Sequence, residues 1–217
     1  MTSSDSPRTL RDALPIFLSH GSPRVLAAAL SVAIVARLSI GDWSWWDLAP
    51  IAGLAVYWPV QEWLIHVFIL HFKPFTVFGR TIDFRVPREH RAHHREPWNI
   101  HILFIPFHTW LYSLPLAAAI WFSLAPTPAI AVTGLCAHLT LAMHYEWVHF
   151  LAHTRYWPRT RLYQRLWRNH RLHHFKNEHY WFGVTMLSGD HLLRTQPAAK
   201  DVRPSATVRA LHSQASC

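Results

Sequence analysis

Ten histidines fall in four clusters: His66 and His71; His90, His93 and His94; His149 and His153; His170, His173 and His174. Neutral imidazole is the commonest protein ligand for transition metals, so this concentration predicts a buried metal centre with more than one ion. Two of the clusters repeat the spacing HxxHH. Residues three and four apart share a helical face, so His90, His93 and His94 are expected to aim at one point, as are His149 and His153, and likewise His170, His173 and His174. His66 and His71 are five apart, about 140° round an ideal helix. They need a helix end, a π-bulge or two separate metals to converge, and the backbone is expected to be irregular between residues 65 and 72. An isolated HxxxH arises by chance in many helices, and a lone histidine at a membrane surface is more often a hydrogen-bonding group than a ligand. Two HxxHH repeats plus two spaced pairs do not reduce to that.

The elements that must carry these side chains are apolar. Hydrophobic residues make up 51% of the 217, with 12 Trp and 12 Phe, a composition that points to lipid contact. Four runs approach the length of a bilayer crossing, at about residues 25–40, 48–70, 100–124 and 128–150. The first is the shortest and carries Arg37, whose long side chain is expected to snorkel to the headgroups. A cytoplasmic tail is expected over residues 1–24, a membrane domain over 25–195 and a flexible tail over 196–217. The fold expected is thus an all-α integral membrane protein of four transmembrane helices with a cytoplasmic helical cap holding the histidines.

Charge tests that topology independently. Of the 21 basic residues, 20 lie before residue 25, between 73 and 95, or after 151, and Arg37 is the exception. The connections at 41–47 and 125–127 hold none. The positive-inside rule therefore places both termini in the cytoplasm, with Trp43, Trp45 and Trp46 at the opposite interface. All four histidine clusters then meet at the cytoplasmic face. The formal net charge of +9 is explained by membrane-flanking cations; no zinc finger, RNP pattern or basic heptad accompanies it, so nucleic acid is not an expected partner. Cys136 and Cys217 are too few and too far apart for a disulfide framework or a cysteine zinc site.

The motifs HVFILH at 66–71, HRAHH at 90–94, HFLAH at 149–153 and NHRLHH at 169–174 resemble those of the fatty acid hydroxylase/sterol desaturase superfamily of membrane di-iron oxygenases. The likeness runs over residues 61–195. HHREPWN, and FGVT at 182–185 with Asp190, add to it, and the resemblance is closest to the fatty acyl and ceramide 2-hydroxylase branch, whose first motif commonly has four intervening residues. Asn99 stands where the family usually has Asp, and Ser188, Gly189 and Asp190 followed by Leu193, Arg194 and Thr195 replace its Trp-Asp and aromatic-Gly-Thr ending. These departures spare every histidine and fall where substrate packing could differ.

The resemblance implies that the ten histidines hold two iron ions, with O2 as co-substrate, a lipid as substrate and an external electron donor. Hydroxylation of a fatty acyl or related C–H bond is the expected outcome; desaturation or oxidation of a sterol, carotenoid or other lipid is the alternative within the superfamily. Ten neutral imidazoles around two divalent ions leave a cationic site, unlike the glutamate-rich soluble di-iron bundles, so carboxylates should orient the ring N–H groups. Glu62, Glu146 and Asp190 are candidates, with Asp83, Glu89 and Glu178 behind them, and His179 is a candidate neighbour of the metal region. His138 and His144 lie within the last apolar run, lining a lipid cavity or meeting buried hydrogen bonds. Coordinated imidazoles have no lone pair left for proton transfer, so no general acid or base is expected among them. There is no cytochrome b5-like HPGG, dinucleotide fingerprint or iron–sulfur cysteine set, which implies a separate reductase or acidic electron carrier docking on the basic face. Two other classes remain in view. A metal transporter would place its ligands near the bilayer midplane, and a di-zinc hydrolase would exploit the stronger binding of zinc at nitrogen sites.

Overall fold

The computed structural model describes residues 6–208, which leaves His212 and Cys217 outside the described residues. In chain order the helices are α1 (Leu10–Ser19), α2 (Gly21–Ile40), α3 (Leu48–Leu64), α4 (Arg85–Arg95), α5 (Phe107–Leu124), α6 (Pro128–Ala152), α7 (Arg161–Phe175) and the single turn α8 (Ser188–Leu192). The chain divides into two compact units. One comprises residues up to 13, 59–103 and 148 onward; the other comprises 14–58 and 104–147. Helices α1, α3 and α6 contribute residues to both.

Three helical stretches, Gly21–Ile40, Trp45–Leu70 and Ile100–Leu124, are long and apolar enough to cross a membrane. Their outward side chains are apolar: Val32 is 70% exposed, Val56 78% and Leu124 75%. Water would penalise so much apolar surface, whereas lipid solvates it. The fourth expected span forms as one unbroken helix, α6, of 25 residues. It does not rank with the other three, because His138, His144, Glu146 and His149 dilute its apolar content.

Arg37 corrects the snorkelling expectation. It is 4% exposed, and its guanidinium meets Asp47 at 2.7 Å and donates to Thr133 Oγ1 at 2.7 Å, while Thr133 donates to the same Asp47 oxygen at 2.5 Å. Trp43 covers the guanidinium, with its ring centre 3.7 Å away. A charge in an apolar helix is tolerated here because a carboxylate from the start of the next helical stretch neutralises it.

The unit that contains the histidine clusters is built on buried Phe150, Leu166, Trp181 and Val184. It also corrects the all-helical expectation. Between the second apolar stretch and α4, strands β1 (Phe75–Val77) and β2 (Arg80–Ile82) pair antiparallel, with Phe75 opposite Ile82 and Val77 opposite Arg80. The two-residue turn, Phe78 and Gly79, has φ of 49° and 74°, the primed-turn geometry that suits the right-handed twist of a hairpin. Arg91 ties the hairpin region to α4 through Asp83 at 2.5 Å and the carbonyl of Phe72 at 2.7 Å.

Candidate metal centre

The ten clustered histidines come together in two groups of five. His66, His71, His90, His94 and His173 form one; His93, His149, His153, His170 and His174 form the other. Within each group one nitrogen per ring lies within 4.8 Å of all the others. The groups abut, with the rings of His94 and His174 stacked at 4.1 Å.

Each element delivers its histidines by its own geometry. The second apolar helix loosens into a π-helix over Ile65–Leu70, and the His71 N–H donates to the His66 carbonyl at 3.1 Å. This i→i+5 bond adds a residue to the turn, so two rings five apart face the same group. His149 lies in the last turn of α6 and His153 just beyond its end, where the His153 N–H bonds the Phe150 carbonyl at 3.1 Å.

The HxxHH repeats, in the last turns of α4 and α7, do not each serve one point. In both, the outer pair goes to one group and the middle histidine to the other. On an ideal helix the outer rings, four apart, are about 40° from each other, whereas the middle ring is about 60° from one and 100° from the other. The two groups are therefore related in plan. Each takes a spaced pair, the outer pair of one HxxHH and the middle residue of the other.

In the first group the Nε2 atoms of His71, His173, His94 and His90 form a closed four-membered circuit with successive separations of 3.2, 3.2, 3.1 and 3.3 Å. A square with such edges has its centre about 2.3 Å from each corner, close to the bond of about 2.0–2.1 Å that imidazole makes to a divalent ion. The tautomers suit it as well. The Nδ1 of His66 lies 2.7 Å from the Phe182 carbonyl and that of His173 lies 2.8 Å from the Tyr180 carbonyl. A carbonyl only accepts, so both Nδ1 atoms carry the proton and both Nε2 atoms keep the lone pair. In the second group His153 Nε2 and His170 Nε2 are 2.8 Å apart, and among the described residues neither ring nitrogen of His93 or His174 has a hydrogen-bond partner. Buried acceptors left in that condition are costly, and a bound cation is what would satisfy them. The residues present fit a pair of nitrogen-ligated metal ions.

Burial keeps these rings neutral. It pushes His71 down to about 2 and His93 down to about 3, and holds His90, His94, His153, His170, His173 and His174 well below the usual histidine range, with neighbouring imidazoles adding to the effect. Neutral imidazole is the ligating form.

The bonds of Glu62 and Asp190 go to backbone N–H groups and neighbouring polar side chains, not to the imidazoles. The two acids grip the segment that supplies the Phe182 carbonyl. Asp190 accepts from the N–H groups of Phe182 at 2.9 Å and Gly183 at 2.7 Å. Glu62 accepts from the N–H of Val184, from that of Thr185 at 2.9 Å and from the Thr185 hydroxyl at 2.5 Å. Four consecutive backbone N–H groups thus end on two buried carboxylates, and the negative charge reaches His66 through a peptide group. Trp181, buried and with φ of 58°, sits between the Tyr180 and Phe182 carbonyls that orient the two rings. Its N–H bonds the Thr195 carbonyl at 2.9 Å, which helps hold a conformation that non-glycine residues seldom adopt. Two glycines allow close approach. A Cβ on Gly183 would lie 2.4 Å from the Met186 carbonyl oxygen, and one on Gly189 would lie 2.3 Å from that of Pro59.

The other acids lie elsewhere. Glu146 accepts from Ser22 and from the Ile105 N–H at 3.1 Å, and Ser22 also accepts from the Trp110 indole at 2.8 Å; it does not orient a ligand ring. Asp83 pairs with Arg91 and Glu89 with Arg85, while Glu178 takes the Ser205 hydroxyl. His179 is exposed, with its N–H on Asn177 Oδ1 at 3.0 Å. His138 packs edge-on against Trp58 at 5.5 Å. Asn169, whose amide bonds the Gly183 carbonyl at 2.7 Å, is a supporting residue that the sequence signalled only by its place directly before the second HxxHH.

Helices able to cross a membrane, with two histidine groups able to hold metal, define the class of protein. The family follows from the sequence between them: residues 51–195 match the fatty acid hydroxylase model, and the chain belongs to that family. It is 26% identical over 162 residues to the dihydroceramide fatty acyl 2-hydroxylase FAH1 of Arabidopsis thaliana, covering 72% of this chain and 65% of that protein. Against FAH2 of the same plant it is 26% identical over 144 residues, covering 66% and 58%. The chain thus spans slightly under two thirds of the length of these relatives. Its fold is similar to the solved structure of full-length scs7p, in which only the hydroxylase domain is visible, with a TM-score of 0.62, 18% identity, and coverage of 93% of this chain and 71% of that one.

Proposed function

We propose that this chain is an O2-dependent lipid hydroxylase acting on a C–H bond of a fatty acyl or related lipid, with two iron ions held by the two five-histidine groups. The observation that carries the reading is the pairing of two abutting all-imidazole groups in a chain with membrane-crossing helices. Family membership supports the reaction class, and the similarity to plant dihydroceramide fatty acyl 2-hydroxylases supports a fatty acyl substrate.

Iron bound there would supply the redox chemistry that activates O2 toward an unactivated C–H bond. The chain's own residues hold the centre. The rings of His66 and His173 are fixed by the Phe182 and Tyr180 carbonyls, and Glu62 and Asp190 hold the segment bearing one of those carbonyls while offsetting part of the site's positive charge. Ligated imidazoles do not move protons, so selectivity rests on where the lipid is placed. Electrons come from a separate reductase or acidic carrier; Arg161, Arg165 and Arg168, exposed along α7, suit the docking of such a partner. The charge pattern supports four crossings, α6 being the fourth, with both termini and the histidine clusters on the cytoplasmic side.

The test is untargeted lipid mass spectrometry of cells expressing the wild type beside His93→Ala and His173→Ala. A lipid that gains one oxygen only with the wild type supports hydroxylation, and one that loses two hydrogens supports desaturation. No lipid difference under aerobic, iron-replete conditions would sink both.

A further inference from the structure

A cavity of about 400 Å³ adjoins the second histidine group through His153. Its apolar wall is Trp98, Ile100, Leu103, Phe150 and Trp167, its cations are Arg155 and Arg171, and among the described residues that line it none is acidic. That volume is in the range of small-ligand sites, which are mostly apolar with a few placed polar groups.

Arg171 has more donors than the fold uses. Its guanidinium lies 3.9 Å from the Trp167 ring centre and 5.1 Å from that of Trp98. Nε donates to the Ala152 carbonyl at 3.0 Å and Nη2 to the Thr154 carbonyl at 2.8 Å. These bonds use two of the five donors of the fork. Neither Arg171 nor Arg155 has a carboxylate within ion-pair reach among the described residues. A neighbouring groove of about 560 Å³ shares Trp98, Trp167 and Arg171 and adds Arg168 and Lys176, so Arg171 stands where an apolar cavity meets a cationic one. A part-buried guanidinium with spare donors, no counter-charge and hydrocarbon beside it matches an amphipathic anion.

We propose that this cavity binds a single-chain lipid with an oxyanion head, the head on Arg171 with Arg155 and the first methylenes against Trp98, Leu103 and Phe150. The chemistry is common to a long-chain carboxylate and a lipid phosphate monoester. Calling this ligand the substrate rests on the oxygenase reading; its binding does not.

The experiment measures retention of radiolabelled oleate, oleyl phosphate and oleyl alcohol by the full chain in neutral detergent, without O2 or reductant, against protein-free micelles. Wild type should hold one of the anions at least about tenfold more tightly than the alcohol, the scale of a charge-assisted hydrogen bond. Preference for oleate assigns a free carboxylate, and preference for oleyl phosphate assigns a phosphorylated lipid. Arg171→Gln should remove the selectivity while leaving alcohol binding within about twofold, and Arg171→Lys should restore part of it. Because Arg171 also bonds the Ala152 and Thr154 carbonyls, Arg155→Gln provides a second variant, whose side chain makes no hydrogen bond or ion pair among the described residues; it should lower the selectivity in a fully folded protein. Equal retention of anion and alcohol by the wild type, or undiminished selectivity in both glutamine variants, would overturn the proposal. Charge-selective binding together with an unchanged lipid profile in cells would overturn the oxygenase reading and leave the cavity assignment standing.

Discussion

Asp190→Asn tests whether buried carboxylates hold the histidines through the backbone. Asp190 takes the Phe182 N–H on Oδ1 and the Gly183 N–H on Oδ2, and receives the Thr195 hydroxyl at 2.6 Å and the Asn169 amide at 3.3 Å. It is 0% exposed. Asparagine keeps one oxygen and sets an NH2 group against one of the two N–H groups, whichever way the amide turns. One buried donor is then unpaired and a charge is lost, at a cost of about 2–3 kcal/mol, a large share of the roughly 5–15 kcal/mol that holds a domain folded. For a chain of this size that lowers the melting temperature by about 4–12 °C. The displaced Phe182 carbonyl also releases His66, so metal should leave the first group about tenfold faster or more, the usual effect of losing a group that orients a ligand. The assay is thermal melting of detergent-solubilised protein, with metal content followed against a chelator. Melting within about 1 °C of wild type together with wild-type metal retention would refute the reasoning.

Three further perturbations address separate parts of the structure. Gly189→Ala places a methyl 2.3 Å from the Pro59 carbonyl oxygen, so α8 must shift, at about 1–3 kcal/mol or more; unchanged melting would contradict the close packing. Arg37→Leu strands Asp47 and should lower the melting temperature, with most of the loss recovered by adding Asp47→Asn, and equal melting of the single and double variants would count against the ion pair. Metal-free protein should lose stability as pH falls below about 6.5. In that range the unfolded histidines take up protons while His93, at about 3, and the other buried rings do not, so stability is full above 6.5 and declines by about 1.4 kcal/mol per pH unit for each such ring; a melting temperature flat between pH 7 and 5 would contradict their burial as neutral groups.

The convergence of the histidine clusters was readable because side chains that meet at one place need a strict helical spacing, and the five-residue gap between His66 and His71 pointed to the irregular backbone that the π-helix supplies. The division of each HxxHH between two groups was not read, although the helical period contains it: a residue three along lies on the other flank of the outer pair. The supports were harder to see. Two of the clustered rings rest on backbone carbonyls, which leave no trace in side-chain identity, and Glu62 and Asp190 act on backbone N–H groups rather than on rings. Glu146 looked equivalent to Glu62, since both are acids in apolar helices, but its bonds are to Ser22 and Ile105. The hairpin escaped notice because strands of three residues are too short to show an alternating pattern. Arg37 was misread because its partner Asp47 lies in the next element, at a separation no local pattern reports.

Metal stoichiometry of the purified protein tests the central claim most directly. After expression with iron, elemental analysis combined with X-ray absorption should find two iron ions per chain, each showing the outer-shell scattering of several imidazole rings. His93→Ala and His173→Ala should each lose one ion first, because these residues serve different groups. Wild-type protein that binds one ion or none under those conditions, or whose iron is held mainly by oxygen ligands, would contradict the account.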